Sequence, residues 1–336
     1  MNVLVTGGRG FLGSALVRTL LRQGHRVRSL SRHDAPDLRR LGADVIQGDI
    51  TDSTTVSQCV AGCDVVFHTA AKAGIWGPYR EYHRTNVIGT QILLDACQRL
   101  GVPRFVFTSS PSVVFEGEDE EVITETAPYA RRFLAHYPAT KAMAEKAVLE
   151  ANGPNLATVA LRPHLIWGPG DNHLVPRLLE RARRGRLRQI GTGQNSVDAV
   201  YIDNAVDAHL LAADRLANGS TVAGKAYFIG NGEPVPLWWF INQILLAAGL
   251  SPVNRTISAR RAYWGGWFYE TAYRFLRRWE EPPMTRFVAR QLSRSHWFDL
   301  SAAQNDLGYK PRVSVQEGLV RLKHYLQADN QAFVNQ

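Results

Sequence analysis

The sequence predicts an α/β protein: a doubly wound parallel sheet in the first half of the chain, with a smaller C-terminal lobe over it. Three observations carry that expectation. A glycine-rich turn, Thr6-Gly7-Gly8-Arg9-Gly10-Phe11-Leu12-Gly13, joins the first apolar run to the first helical period. Short β-branched runs then alternate with helical periods through the first 170 residues, and from about Gly168 that rhythm changes. Strands that alternate with helices argue for βαβ units, because parallel neighbours need a crossover between them.

In chain order, Val3-Leu4-Val5 is the first strand, Phe11 to Arg22 the first helix and Val27 to Leu30 the second strand. Val45-Ile46, Val65-Val66-Phe67, Phe105-Val106-Phe107 and Thr158-Val159-Ala160-Leu161 are further strands, each a short apolar run of the kind a doubly covered sheet buries. Val87 to Leu100 and Ala139 to Glu150 carry the longer helical pattern between them. Beyond Gly168, helices over Leu174 to Arg184 and Leu237 to Ala248 are interleaved with shorter, less regular strands. The expected division is residues 1–170 as a nucleotide-binding sheet. Residues 171–336 form mainly a substrate lobe, with some strands and helices returning to the first core.

Length and composition narrow the class. A chain of 336 residues can bury a large core, and 45% hydrophobic with 21% charged residues excludes global disorder. The formal charge of +9 suits an anionic partner, whether nucleic acid, lipid, or a phosphate- or carboxylate-bearing ligand. No run of consecutive basic residues reads as a nucleic-acid tail, and Arg181, Arg183, Arg184, Arg186 and Arg188 read as a solvated helix end. Cys59, Cys63 and Cys97 have no convincing His partners and support neither a disulfide framework nor a metal site. Met1 runs straight into a strand pattern without a signal-peptide pattern, and no window nears the roughly 18 apolar residues of a spanning helix. A soluble, cytoplasmic protein is the expectation.

The glycine turn carries the first chemical signal. Gly7, Gly10 and Gly13 allow a tight turn, close backbone approach to a pyrophosphate and close helix packing, while the helix starting at Phe11-Leu12 presents its N-terminus to the anion. Because the motif follows a strand and opens a helix, it reads as a Rossmann-type dinucleotide site. The second strand ends in Ser29-Leu30-Ser31-Arg32, without the acidic residue an NAD site normally places there. Arg32 would hold a 2′-phosphate bidentately, and Arg9 adds positive charge, so NADP(H) is expected over NAD(H). The bland alternative for Arg32 is an exposed loop cation. Asp49 and Ile50 would meet the adenine, with a turn-capping Asp as an equal alternative. Ala70, in His68-Thr69-Ala70-Ala71, is small where backbone would approach a ribose.

The second signal is Tyr137-Pro138-Ala139-Thr140-Lys141, downstream of Ser109-Ser110. A Tyr and a Lys four apart on a helix share a face, and a nearby ammonium would lower the phenol's pKa. That is the equipment for moving a proton to or from an alcohol oxygen while hydride moves elsewhere. Ser110 would hydrogen-bond a substrate oxygen, or merely cap its strand.

Taken together, Thr6 to Gly13, Asp49, His68 to Ala71, Asn86 in Thr85-Asn86-Val87-Ile88-Gly89-Thr90, Ser110, Tyr137 to Lys141 and Leu161-Arg162-Pro163 resemble the extended short-chain dehydrogenase/reductase superfamily over essentially the whole chain. The resemblance implies that Tyr137 is the proton donor, that Lys141 tunes it and binds the nicotinamide ribose, and that Ser110 polarises the substrate carbonyl. Asn86 would fix the helix and water relay behind Lys141, and Pro163 would line the cofactor. Within the superfamily, Ser110 to Gly117, Pro282-Pro283-Met284-Thr285, His296 to Asp299 and Leu307 to Pro311 look like the 3β-hydroxysteroid dehydrogenase group. Ala71 to Gly77 and Arg162 to Gly170, with the Pro282 to Thr285 stretch, most resemble its bacterial 2-alkyl-3-oxoalkanoate reductases of olefin biosynthesis. That resemblance implies lipid metabolism: NADPH-dependent reduction of a hydrophobic β-keto acid to the β-hydroxy acid. Lys72, Trp76, His164 and Trp167 are then candidate substrate residues, with Lys72, Arg162 or His164 as carboxylate anchors and Arg162 the most readily structural of these. A homodimer through the helices of Asn86 and the Tyr-Lys pair is the default, and a larger pathway assembly is compatible.

Three other classes remain open at this point: a 3β-hydroxysteroid or sterol-4-carboxylate dehydrogenase, a nucleotide-sugar epimerase, and a non-catalytic dinucleotide-binding regulator; a DNA-binding role has no motif behind it. The stretch Tyr263 to Trp279 spaces Trp264, Trp267, Phe268, Phe275 and Trp279 helically, with arginines opposite. It would pack on the small lobe or a partner, roof an acyl pocket, or lie on a membrane surface.

Overall fold

The computed structural model describes residues 1–334, with side chains through residue 328. In the first half, strands β1 (Asn2–Thr6), β2 (Arg26–Ser31), β3 (Asp44–Gln47), β4 (Val65–His68), β5 (Arg104–Thr108), β6 (Glu120–Ile123) and β7 (Ala157–Pro163) alternate with helices. These are α1 (Phe11–Arg22), α2 (Pro36–Arg40), α3 (Ser53–Val60), α4 (Tyr79–Tyr82), α5 (Gly89–Leu100) and α6 (His136–Glu150). The second half adds α7 (Leu174–Arg183), β8 (Gln189–Ile190), β9 (Ser196–Val197), α8 (Ile202–Arg215), β10 (Lys225–Ile229) and β11 (Val235–Pro236). After these come α9 (Leu237–Ala247), β12 (Thr256–Ile257), α10 (Ala259–Phe275), α11 (Arg286–Gln291), β13 (His296–Phe298) and α12 (Val315–Val334).

A seven-stranded parallel sheet in the order β10-β7-β5-β4-β1-β2-β3 is the α/β doubly wound architecture expected from the sequence. Its two faces follow from the period of two along each strand. Val3 and Val5 of β1 enter one core with Leu16, Val17 and Ala208, while Leu4 enters the other with Leu93, Leu94 and Val148. Thus α1 and α8 cover one face and α3, α5 and α6 the other. The strand order reverses between β1 and β4, which opens a crevice at the carboxyl edge where ligands of such sheets bind. The glycine turn, Ala70, Ser110 and Pro163 all sit at or just beyond that edge because each ends or follows a strand of this sheet.

Local chemistry explains most element ends. α5 stops at Gly101, whose φ of 70° supplies the left-handed cap that other residues adopt at a cost. α6 begins at His136 rather than Ala139, since Pro138 is tolerated in a first helical turn where its missing N–H has no partner to lose. The pattern from Val87 begins earlier too, in a π-helical stretch over His83–Ile88 that runs into α5. In the second half, β11, β9, β13 and β6 form a four-stranded sheet, and β12 pairs with β8. β10, by contrast, leaves that lobe and completes the edge of the large sheet beside β7.

Candidate active site

A cleft of about 1020 Å³ opens at the carboxyl edge, lined at one end by the glycine turn. Gly10 N–H donates to the Gly7 carbonyl at 2.8 Å and Gly7 N–H to Leu30 at 2.8 Å, which fixes the loop. Gly7 has φ 71°, and a Cβ there would lie 2.8 Å from the Ala70 backbone; a Cβ on Gly13 would lie 2.2 Å from the Gly7 oxygen. These two positions therefore admit only glycine. α1 begins just beyond, with no side-chain cap on its first N–H groups and no acid in its first turn. An uncapped N-terminus facing a cleft, with Arg9, Phe11 and Leu12 on its wall, fits the diphosphate of a dinucleotide.

The remaining residues expected around the cofactor also line this cleft: Gly10, Gly13, Arg32, Asp49, Ile50, Ala70, Lys141 and Pro163. Arg32 is exposed at the end of β2. One Asp49 oxygen accepts from the Thr51 N–H and hydroxyl, each at 2.9 Å, so the residue caps its turn while its carboxylate borders the cleft. Ile50 is buried and packs where a Cβ on Gly89 would meet it at 2.6 Å.

Ser110, Tyr137 and Lys141 come from three places, the end of β5 and successive turns of α6, and line the middle of the same cleft. The Ser110 hydroxyl is 2.8 Å from that of Ser112, a cleft residue the sequence reading passed over. Burial pushes the Tyr137 phenol up to about 12, opposed by a hydrogen bond from Ser110. This differs from the expectation that Lys141 lowers it. Burial also pushes the Lys141 ammonium down to about 7, opposed by Glu145, and its Nζ donates to the Thr108 carbonyl at 2.5 Å while lying 3.9 Å from the Phe107 ring. For Lys141, which is buried, desolvation outweighs the attraction of Glu145. A phenol that keeps its proton at neutral pH is the form able to donate one.

Asn86 lies outside the cleft wall but behind the triad. Its amide donates to Thr140 Oγ1 at 3.0 Å and to the Lys72 carbonyl at 3.2 Å, and its oxygen accepts from the Lys72 N–H at 2.7 Å. It therefore ties the loop after β4 to the turn of α6 that carries Lys141. Beneath it, Thr90 donates to the Asn86 carbonyl at 2.6 Å, which leaves the Thr90 oxygen to accept from His68 Nε2 at 2.9 Å. His68 Nδ1 then accepts from Thr6 at 2.7 Å. This chain, unsuspected from sequence, fixes β1, β4 and α5 together below the site.

The four candidate substrate residues divide. His164 lines the cleft, buried, with burial holding its imidazole down at about 4. Lys72 turns away to pair with Glu81 at 2.6 Å. Trp76 donates from its indole to the Arg278 carbonyl at 3.1 Å and stands edge-on to Tyr273. Trp167 is fully buried between Tyr201 and Phe240 in the core. None of these last three borders the cleft. Arg162 is structural: Glu145 of α6 accepts from its guanidinium at 2.6 and 3.1 Å, with both side chains buried. The cleft also takes in residues to which the sequence reading gave no role, among them Phe115 and Glu120 of the first half and Arg177 and His296 of the lobe. Leu165, at the cleft wall, holds φ 40°, a left-handed conformation uncommon for a non-glycine residue and one that collects at functional sites.

The aromatic stretch forms α10, which buries Ala262, Gly266 and Glu270 against α11 and leaves Trp264, Trp267, Phe268 and Phe275 exposed. A Cβ on Gly266 would meet the Thr285 backbone at 2.5 Å, so the packing face is the small-residue side. No residue of α10 borders the cleft. Among the described residues, no helix is long and apolar enough to cross a membrane.

Residues 4–259 match the model of the 3-beta hydroxysteroid dehydrogenase/isomerase family. The chain is 52% identical to the 2-alkyl-3-oxoalkanoate reductase of Stenotrophomonas maltophilia, covering 96% of this chain and 98% of that protein. It is 48% identical to the 2-alkyl-3-oxoalkanoate reductase of Shewanella oneidensis, covering 96% of this chain and 85% of that one. Among solved structures, MoeE5 in complex with UDP-glucose and NAD superposes with a TM-score of 0.76 at 28% identity, over 98% of this chain and 100% of that one. The chain belongs to the 3-beta hydroxysteroid dehydrogenase/isomerase family.

Proposed function

We propose that this family member is an NADPH-dependent reductase that converts a lipid-like β-keto acid of the 2-alkyl-3-oxoalkanoate type into the β-hydroxy acid. The observation that carries the reading is the convergence of Ser110, Tyr137 and Lys141 on the cleft that also receives the uncapped end of α1. The names of the two reductases above support the substrate class, and the NAD in the MoeE5 structure supports a nicotinamide dinucleotide.

The dinucleotide, when bound, supplies the hydride. The glycine turn and Arg9 hold its diphosphate, Arg32 selects a 2′-phosphate, and Asp49 and Ile50 meet the adenine. Ala70 and Pro163 border the ribose and nicotinamide, and Lys141 binds the ribose. Tyr137 donates its proton to the ketone oxygen while the Ser110 hydroxyl holds that oxygen. Residues 1–170 thus serve the cofactor and 171–336 mainly the substrate. A homodimer through α5 and α6 accompanies this reading, supported by the partly exposed apolar side chains of Tyr79 on α4, Ile88 before α5, Leu100 on α5 and Met143 on α6. A cytoplasmic location, a step in long-chain olefin biosynthesis and a pathway assembly belong to the same reading on the resemblance set out above.

The exposed aromatic face of α10 would then serve peripheral contact with lipid rather than the cleft. The second reading, oxidation of a 3β-hydroxysteroid or sterol carboxylate, is favoured by the family itself. Comparing turnover of a 2-alkyl-3-oxoalkanoate with NADPH against a 3β-hydroxysteroid with NADP+ separates them. In that assay Tyr137→Phe loses nearly all turnover and keeps NADPH affinity; an active Phe variant refutes the mechanism.

A further inference from the structure

His296 is the buried group that the preceding reading leaves unused. It sits on β13 with 1% of its surface exposed and lines the cleft. Neither of its ring nitrogens has a hydrogen-bond partner among the described residues. One of them must carry a hydrogen in the neutral ring, and a buried donor without an acceptor is costly and calls for an explanation.

Its surroundings say what kind of acceptor is missing. The His164 ring lies 5.7 Å from that of His296, and its Nδ1 donates to the Asp198 carbonyl at 3.1 Å, which leaves Nε2 of the neutral ring as an acceptor. Glu120, on the adjoining strand β6, is the backbone partner of His296 and borders the same cleft. Burial pushes its carboxyl up to about 8, toward the neutral form that can donate. Phe115 stands edge-on to His296 at 5.1 Å, and Phe298 edge-on to His164 at 5.4 Å. The His296 N–H and the Glu120 carboxyl, walled by aromatic rings, give this end of the cleft its hydrogen-bond donors.

The ketone oxygen is already taken by Ser110 and Tyr137, and a β-keto acid presents one other polar group. We propose that His296 donates to and so receives the substrate's carboxylate. The inference rests on the β-keto acid reading of the same site. His296 is a binding residue in this scheme, and Arg177 is the competing anchor, already paired with Glu281 at the cleft's margin.

The test compares kcat/KM for a 2-alkyl-3-oxoalkanoate and for its methyl ester, both with NADPH. The wild type should prefer the acid by about ten- to a hundredfold, the range of a hydrogen bond to a charged group. His296→Phe, which keeps a ring against Phe115, should bring that ratio near one, mostly through KM for the acid. His296→Gln, which keeps a donor, should retain part of the preference. The ratio is internal, since a partly folded preparation lowers both substrates alike. An unchanged ratio in His296→Phe overturns the inference, as does loss of the preference in Arg177→Met with His296→Phe unaffected. Equal loss of acid and ester turnover in both His296 variants overturns it as well. If the wild type reduces neither compound, the function itself has been misread; if it reduces both equally, only the carboxylate site has.

Discussion

Lys141 carries a thermodynamic burden that can be measured without substrate. The unfolded chain holds this proton to about pH 10.4, whereas burial lets the folded chain hold it only to about 7. Between those values the unfolded state binds more protons, so stability rises with pH. One proton corresponds to about 1.4 kcal/mol per pH unit, and the folded group is half titrated at the start of the window. The expected gain from pH 7 to 9 is therefore about 2 kcal/mol. Lys141→Met removes the titrating group and keeps most of the buried stem. Urea unfolding of both proteins at pH 7, 8 and 9 gives the comparison. The wild type should gain about 2 kcal/mol relative to the variant over that range. Loss of the bond to Thr108 lowers the variant equally at each pH, because a neutral amine also donates, so the slope is the readout and not the level. Glu120 and the cysteines titrate alike in both and cancel. Parallel pH profiles would refute the claim that Lys141 is desolvated.

Gly13→Ala places a Cβ 2.2 Å from the Gly7 oxygen, and the turn must open to admit it. Overpacking of this kind costs ~1–3 kcal/mol, and NADPH affinity, measured by fluorescence titration, should fall at least tenfold; an unaltered affinity contradicts the cradle. Glu145→Ala strands the buried Arg162 guanidinium, an effect of ~3–5 kcal/mol visible in thermal unfolding, and the double variant Glu145→Leu with Arg162→Met should recover most of it. Arg32→Asp should weaken NADPH much more than NADH in direct binding, and an unchanged preference removes the argument for a 2′-phosphate site.

The first lobe was legible because its signals are local. Phe11–Arg22 was read to the residue from its helical period and the glycine turn before it. β1 to β5 and β7 stand out as apolar runs, each short by one to three residues, whereas β6, with two glutamates in Glu120–Ile123, has no such run. What sequence missed has physical reasons. β9, β11 and β12 are two residues long, below any period. Glu120 and His296 meet only because β6 and β13 pair across 176 positions of chain, and no local pattern records that. Trp76 and Trp167 were tied to substrate by residue type and family likeness. Tryptophan serves cores equally well, and Trp167 fills one against Tyr201 and Phe240. The pKa of Tyr137 was misjudged because spacing reveals a charged neighbour and says nothing of burial.

The return of β10 to the large sheet has a consequence for synthesis. Every residue of β7 is buried in the finished protein, and its outer edge is satisfied by Lys225–Ile229. On the ribosome that partner emerges several seconds later, at roughly 5–20 residues per second. During that interval β7 is an apolar strand with an open row of backbone donors and acceptors, which invites pairing with another chain. Between the emergence of β7 and that of β10 the nascent sheet therefore carries an open edge, and that is an interval in which a chaperone would have something to shield.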